Sequence, residues 1–275
     1  MDNKNFEIIK ELVFEAGKIL LDFYNKKLEI NFKGPRDLVT IADLTVEDFL
    51  KKNLQREFPL IQFIGEEGGL STKKERCFIV DPLDGTTNFA HHYPAFCISL
   101  AYMEKEEILF GIIYDPLKEE MFFARKGEGA FLNSTKISVS EQRELKKSLL
   151  ATGFPYSDII MPRILNYFNH ILPYCQGIRR GGSAALDLAY TACGRFDGFF
   201  ELGLKPWDVA AGILILEEAG GKTTTPNGKI ATPFSGEYVA TNGKIHDQIL
   251  DIISNAESQI NFFKDYFTRI INVKN

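Results

Sequence analysis

The chain has 275 residues, a length that suits one large domain or two closely packed ones. Hydrophobic residues make up 45% and charged residues 25%, a balance that excludes disorder, collagen-like repeats and fibrous architectures. With 32 basic against 37 acidic side chains the net charge is −5, so the chain has no general attraction for nucleic acid, and any anion it binds needs a local device.

No apolar run approaches the roughly 18 residues of a membrane span; the longest, around Ile213–Leu216, is cut by Glu217 and Glu218. Met1-Asp2-Asn3-Lys4-Asn5 places acid and amides where a secretory signal would carry basic residues. Cys77, Cys97, Cys175 and Cys193 are far apart, form no C-x-x-C pair and read as buried small hydrophobes. These features set the expectation of a cytoplasmic protein with no membrane association.

In chain order, Phe6, Ile9, Val13, Ala16, Ile19, Leu20 and Phe23 recur at helical spacing and predict an amphipathic helix over 5–24. Lys33-Gly34-Pro35-Arg36-Asp37 is a turn or hairpin tip, with Lys33 read first as a solvated residue. A second helix is expected at about 44–57, where Thr45 and Asp48 resemble a capping box. Short apolar runs at 62–64, 77–80, 96–102, 108–114 and 120–124 predict a largely antiparallel sheet. After about residue 140 strand alternates with helix: strands at 148–152, 196–201 and 238–241, helices near 162–170, 183–193 and 208–219. The fold class is therefore α/β overall, with an α+β half over 1–140 and an α/β half over 141–275. Ile245, Ile249, Ile252, Ile253, Ala256, Ile260, Phe263, Phe267 and Ile270 keep helical spacing to near the end, with a break expected at Ser254-Asn255. Such a stripe covers the core or meets another subunit.

The chemistry concentrates in Phe78-Ile79-Val80-Asp81-Pro82-Leu83-Asp84-Gly85-Thr86-Thr87-Asn88-Phe89. Pro82 lacks an N–H, so the strand is expected to stop at Asp81. Asp81 and Asp84 then share a turn, and Gly85-Thr86-Thr87 offer backbone N–H groups at a helix start, a ready anion site. Hard oxygen ligands beside free N–H groups suit a Mg²⁺ ion bridging to a phosphate. A lone D-x-x-D is more simply an Asx-type turn before a capped helix. Three further acidic junctions accompany it: Gly65-Glu66-Glu67-Gly68-Gly69, Asp43 before the second helix, and Lys205-Pro206-Trp207-Asp208. Asp43 and Asp208 each also fit a helix N-cap.

Gly65-Glu66-Glu67, Asp81 to Phe89 and Pro206-Trp207-Asp208-Val209-Ala210-Ala211-Gly212 resemble the signature blocks of the inositol monophosphatase family. Asp37 to Asp43 and Arg179-Arg180-Gly181-Gly182-Ser183-Ala184-Ala185-Leu186-Asp187-Leu188-Ala189 fit two further blocks. The blocks fall in family order, and the second half most resembles the bacterial inositol-1-monophosphatase branch. The resemblance implies a layered αβαβα sandwich of the sugar-phosphatase type, usually a homodimer, that hydrolyses a small-molecule phosphate ester with two to three Mg²⁺ ions and is inhibited by Li⁺. It implies that Glu66, Asp81 and the Leu83 carbonyl hold one metal, that Asp81, Asp84 and Asp208 hold a second, and that a weaker third lies near Glu66. It implies that Thr86 and Asp43, with Glu66, orient and deprotonate the attacking water. The N–H groups of Gly85 and Thr86 would receive the phosphate, and Gly182, Ala184, Glu201 and Arg179 would face the alcohol.

Four converging carboxylates without cations would repel, at about 5 Å and an effective dielectric near 20 by roughly 3 kcal/mol per pair. Divalent cations offset that repulsion and let an acidic protein hold a phosphate dianion. Metal pairs suit in-line displacement, and phosphoryl transfer demands no covalent nucleophile. None is visible: the chain has no G-x-S-x-G elbow and no C-x₅-R loop. Some assignments have equal alternatives. Glu201 reads as a hydroxyl acceptor or a surface acid, Arg179 and Arg180 as substrate or dimer contacts, and Trp207 as packing. The leading substrate class is myo-inositol monophosphates or similar polyol phosphates. The alternatives are fructose-1,6-bisphosphate, histidinol phosphate, NADP and 3′,5′-nucleotide bisphosphates. Bacterial members resembling this chain are also associated with transcription machinery, so a regulatory role through a macromolecular partner is a second hypothesis, without direct nucleic-acid binding.

Overall fold

A computed structural model describes residues 2–26, 30–32, 38–66 and 75–273, with the backbone alone at 30–32, 38–40 and 260–273. The readings made at Lys33, Arg36, Asp37, Glu67 and the glycines after it, and at the side chains from Ile260 onward, lie outside what is described.

The elements in order are α1 (Asn3–Tyr24), β1 (Ile30–Phe32), β2 (Leu38–Thr40), α2 (Ile41–Glu57), β3 (Gln62–Gly65), β4 (Arg76–Asp84), α3 (Thr86–Ala90), β5 (Cys97–Glu104), β6 (Glu107–Asp115), β7 (Glu120–Arg125), β8 (Gly129–Leu132) and β9 (Thr135–Ile137). They continue with β10 (Leu149–Thr152), α4 (Met161–Ile171), β11 (Gly177–Arg179), α5 (Ala184–Ala192), β12 (Gly198–Leu202), α6 (Pro206–Glu218), β13 (Lys222–Thr224), β14 (Glu237–Thr241) and α7 (His246–Val273). A seven-stranded sheet runs β3-β4-β5-β6-β7-β8-β9, antiparallel except for the parallel β3–β4 pair. A five-stranded mixed sheet runs β11-β10-β12-β14-β13, with β10 parallel to both neighbours.

Residue alternation along the strands sorts five layers. Phe78, Val80, Phe110 and Ile112 point to Ile9, Val13 and Leu20 of α1 and Val46, Leu50 and Leu54 of α2. Their neighbours Cys77, Ile79 and Ile113 point the other way, to Leu188 of α5 and Ala211 and Ile215 of α6. The second sheet repeats the pattern: Ala151, Phe199 and Ala240 meet the same two helices, and Leu150, Phe200 and Val239 meet Ile164, Tyr167, Ile249 and Ile253 of α4 and α7. The layering is helix, sheet, helix, sheet, helix, as expected of the sandwich, and the middle core draws on residues from both sides of position 140. Because α6 lies between two sheets it is apolar all round, with every residue from Val209 to Leu216 buried.

The middle layer packs closely enough that a glycine is required. A Cβ at Gly111 of β6 would sit 2.7 Å from the Ala211 Cα and 2.8 Å from its carbonyl oxygen, and backbone cannot move aside as a side chain does. Gly111→Ala is therefore expected to destabilise the protein by about 3 kcal/mol, read as a lowered urea midpoint with an unaltered slope.

Several local expectations are corrected. The second helix begins at Ile41, so Thr45 does not cap it; its hydroxyl donates to the Ile41 carbonyl at 2.7 Å. No break occurs at Ser254-Asn255, because both lie on the exposed face while Ile253 and Ala256 are buried on the core face. Cys77 and Cys97 are buried, but Cys175 and Cys193 are only half-buried, and all four are free thiols. Strands β8, β9, β11 and β13 were not expected from the sequence. Among the described residues no helix is long and apolar enough to cross a membrane.

Candidate active site

Strand β4 carries the centre of the site. It pairs Asp81 with Ser99 and then Asp84 with Cys97, so Pro82 and Leu83 are pushed out as a bulge. The expected stop at Asp81 is thereby corrected: the bulge absorbs the proline and pairing resumes at Asp84. Within the bulge the Leu83 N–H donates to Asp81 Oδ1 at 3.0 Å, and the Leu83 carbonyl accepts from the Thr86 hydroxyl at 3.0 Å. Gly85 then turns the chain into α3 with φ at 97°, where a Cβ would stand 2.8 Å from the Ala95 carbonyl oxygen. No side chain caps α3.

Asp43 approaches from the first turn of α2, fully buried, and its Oδ1 lies 3.0 Å from the Thr86 hydroxyl. The single hydroxyl proton of Thr86 thus serves either Asp43 or the Leu83 carbonyl. Asp84 Oδ2 accepts from the Ser183 hydroxyl at 2.6 Å and the Ala185 N–H at 2.7 Å, which ties β4 to the start of α5. Asp208 is the third residue of α6, and its Oδ2 accepts from the Lys205 N–H at 2.6 Å. The N-cap position belongs to Lys205 instead, because Pro206 already opens the helix. Two distant bonds hold these pieces in register: Ser99 Oγ donates to the Trp207 carbonyl at 3.0 Å, and Asn88 Nδ2 donates to the Gly181 carbonyl at 2.9 Å.

A cavity of about 310 Å³ gathers the expected residues Glu66, Asp81, Leu83, Asp84, Gly85 and Thr86 from the first half, and Gly182, Ala184, Glu201 and Asp208 from the second. Asp43 does not line it but adjoins it through its hydrogen bond with Thr86. Arg179 does not line the cavity. It is exposed at the end of β11, and Arg180 lines the cavity in its place, since adjacent residues of an extended segment point to opposite faces. Trp207 is buried in the middle core as well as bordering the cavity. Ser183, Asp187, Lys205 and the loop from Gly153 to Tyr156 also border it. The loop had a legible signal, because it follows the carboxyl end of β10, next to the parallel strand β12 that ends at Glu201-Leu202.

The electrostatics are those of a crowded anionic cluster. Burial, then the charges of Glu66, Asp84 and Asp208, hold the Asp81 carboxyl well above the usual carboxylate range. Burial pushes Asp84 up to about 6, against the Ser183 and Ala185 hydrogen bonds that favour its ionised form. Asp208 is raised by burial and by Asp84, and Glu201 by burial and by Asp187. No ion pair from a described residue relieves Asp81, Asp84 or Asp208, and no hydrogen bond from one reaches the second oxygen of Asp81 or Asp208. Among the described residues no three such side chains close into a ready-made cage. They line an open cavity as hard, partly uncommitted oxygen donors beside the Leu83 carbonyl, a set that fits Mg²⁺.

The chain matches the model of the inositol monophosphatase family over residues 2–258. It is 41% identical over 248 residues to an inositol-1-monophosphatase of Synechocystis sp., covering 88% of this chain and 86% of that one. It is 38% identical over 244 residues to a protein of Pasteurella multocida named Nus factor SuhB, covering 87% and 91%. The solved structure of inositol monophosphatase from Anabaena (Nostoc) sp. superposes with a TM-score of 0.83 at 40% identity, covering 92% of this chain and 96% of that one. The sandwich, the acidic cavity and these likenesses agree: the chain belongs to the inositol monophosphatase family of phosphoric monoester hydrolases.

Proposed function

We propose that the protein is a Mg²⁺-dependent phosphomonoesterase that hydrolyses myo-inositol monophosphates or a similar small polyol phosphate, acting in the cytoplasm as a homodimer. The observation that carries the catalytic part is the convergence of Glu66 after β3, Asp81 and Asp84 of β4, and Asp208 of α6 on one cavity beside an uncapped helix start. Glu66, Asp81 and the Leu83 carbonyl would hold one ion, and Asp81, Asp84 and Asp208 a second, with two to three ions per site in all. Bound there, Mg²⁺ supplies charge neutralisation for the phosphate and an acidified water. Asp43 and Thr86 act as a relay in which Asp43, buried and itself fixed, draws the Thr86 proton and leaves the Thr86 oxygen free to accept from the attacking water. Glu66 orients that water. The Gly85 and Thr86 N–H groups receive the phosphate oxygens, and Gly182, Ala184 and Glu201 face the alcohol.

The test is hydrolysis of myo-inositol 1-phosphate, fructose-1,6-bisphosphate, histidinol phosphate, NADP and a 3′,5′-nucleotide bisphosphate, each with and without Mg²⁺. The expected result is Mg²⁺-dependent turnover with the inositol ester foremost; efficient turnover of a nucleotide alone removes it from that place. The relative named as a Nus factor favours a second reading, a regulatory role through a macromolecular partner. Asp84→Asn separates the two, since a cellular phenotype that survives the loss of hydrolysis belongs to the regulatory role.

A further inference from the structure

Beyond the acids assigned to metal, the cavity holds two carboxylates to which no described residue gives a hydrogen bond, and on which Arg180 acts through its charge alone. Asp187 is 3% exposed and Glu201 8%, both border the cavity, and no hydrogen bond from a described residue reaches either side chain. An acid in the first turn of a helix ordinarily sits at the surface and complements the helix dipole. Asp187 occupies that turn of α5, yet it is buried and takes no N–H. The backbone is opened to admit both groups: a Cβ at Gly181 would lie 2.8 Å from Asp187 Oδ1, and one at Gly153 would lie 2.2 Å from each Glu201 oxygen. Arg180 favours the ionised form of both through its charge, without a hydrogen bond to either. Arg180 is exposed, with its guanidinium over Gly182, where a Cβ would meet Nη1 at 2.6 Å. Acceptors therefore lie deep and the positive charge lies at the rim. Native folds complete buried polar groups with a partner, and a hydroxyl of a ligand seated in the cavity is placed to be one.

We propose that Asp187 is a specificity-determining residue which, beside Glu201, accepts hydrogen bonds from hydroxyls of the substrate's alcohol portion and so selects neutral polyhydroxy phosphate monoesters. The assignment rests on the phosphatase reading above and adds a residue to it. A hydroxyl-free ester leaves both carboxylates unpaired, and a second phosphate placed against them meets like charge.

The experiment uses the Mg²⁺-loaded full chain and compares kcat/KM for myo-inositol 1-phosphate, p-nitrophenyl phosphate and histidinol phosphate in the wild type, Asp187→Asn and Asp187→Ala. The Tm of each metal-free protein is measured alongside. In Asp187→Ala the ratio of inositol ester to p-nitrophenyl ester is expected to fall at least tenfold, mainly through KM, and by less in Asp187→Asn, which keeps one acceptor oxygen. The Tm is expected to hold or rise, because an unsatisfied buried carboxylate has been removed. A ratio unchanged within twofold overturns the assignment, as does an equal loss on both esters with a fallen Tm, the mark of a structural role. Preference for histidinol phosphate that vanishes in Asp187→Ala overturns it too, in favour of an ammonium site. Failure of the wild type to hydrolyse any ester would instead sink the phosphatase reading itself.

Discussion

Asp81→Asn and Asp208→Asn should each lower kcat/KM for the inositol ester by about 10³-fold, near 4 kcal/mol of transition-state stabilisation, without unfolding the protein. Both side chains sit in the cluster that burial and neighbouring acids disfavour as anions, so the metal-free fold gains nothing from their charge. The amide preserves the local geometry. An Asn at 81 can still accept the Leu83 N–H through Oδ1, and an Asn at 208 can still accept the Lys205 N–H, so the bulge and the start of α6 persist. What is lost is one negative charge among those that would neutralise divalent cations, and with it the field that holds a phosphate dianion in an acidic protein. Steady-state hydrolysis and calorimetry check both halves: activity collapses while the metal-free Tm stays at or above that of the wild type. A variant that retains turnover in the absence of metal would contradict the proposed chemistry.

The parts of this site that were legible in the sequence are those where a strand ends in an acid. Asp81, Asp84 and Glu66 stand where period-two patterning stops and Asp208 where the apolar helix α6 begins, and the strand-end junctions gather at one edge of a sheet because neighbouring strands end together. Asp187 was not legible in that way, since it lies inside the apolar run Ala184–Ala192 and nothing local marks the face it presents. Which of Arg179 and Arg180 borders the cavity was not legible for a related reason. Two adjacent arginines at the end of a short strand differ only in which side of the chain they leave, and the register of β11 against β10 decides that. Pro82 misled in a third way. A missing N–H does end a regular ladder, but a two-residue bulge sets the proline aside and lets the strand go on to Asp84. Each of these turns on a non-local pairing, whereas the one-sided apolar stripe of α1 and the all-apolar run of α6 mark a covering helix and an enclosed one, and the full layer order is what the family resemblance implies.

The pH dependence of metal-linked stability should show the same cluster from the other side. In the metal-free protein Asp84 titrates near 6 instead of its ordinary 3.8, and Asp81 and Asp208 are raised as well. A raised folded-state pKa contributes stability that is fully present below about pH 4, where both states are protonated, and is lost as pH rises through 6 and beyond. For Asp84 alone the loss is on the order of 2 kcal/mol, discounted from the full shift because its carboxylate borders an open cavity. Mg²⁺ acts in the opposite sense. It binds the ionised carboxylates of the folded chain, so its stabilisation, RT ln(1 + [Mg²⁺]/Kd), is weak where protons compete and grows as they leave. The quantity to measure is the difference in Tm with and without 10 mM Mg²⁺ (a concentration chosen to be about saturating) at each half unit between about pH 5 and 8.5. Groups far from the site cancel in that difference. It is expected to be near zero at the acid end and to widen steadily through pH 6 to 7, with the metal-free Tm falling as the metal-loaded one holds. In Asp84→Asn the widening should shrink, because one of the displaced protons is gone. A difference that is large and flat across the range would mean that the ions bind somewhere other than among these buried acids.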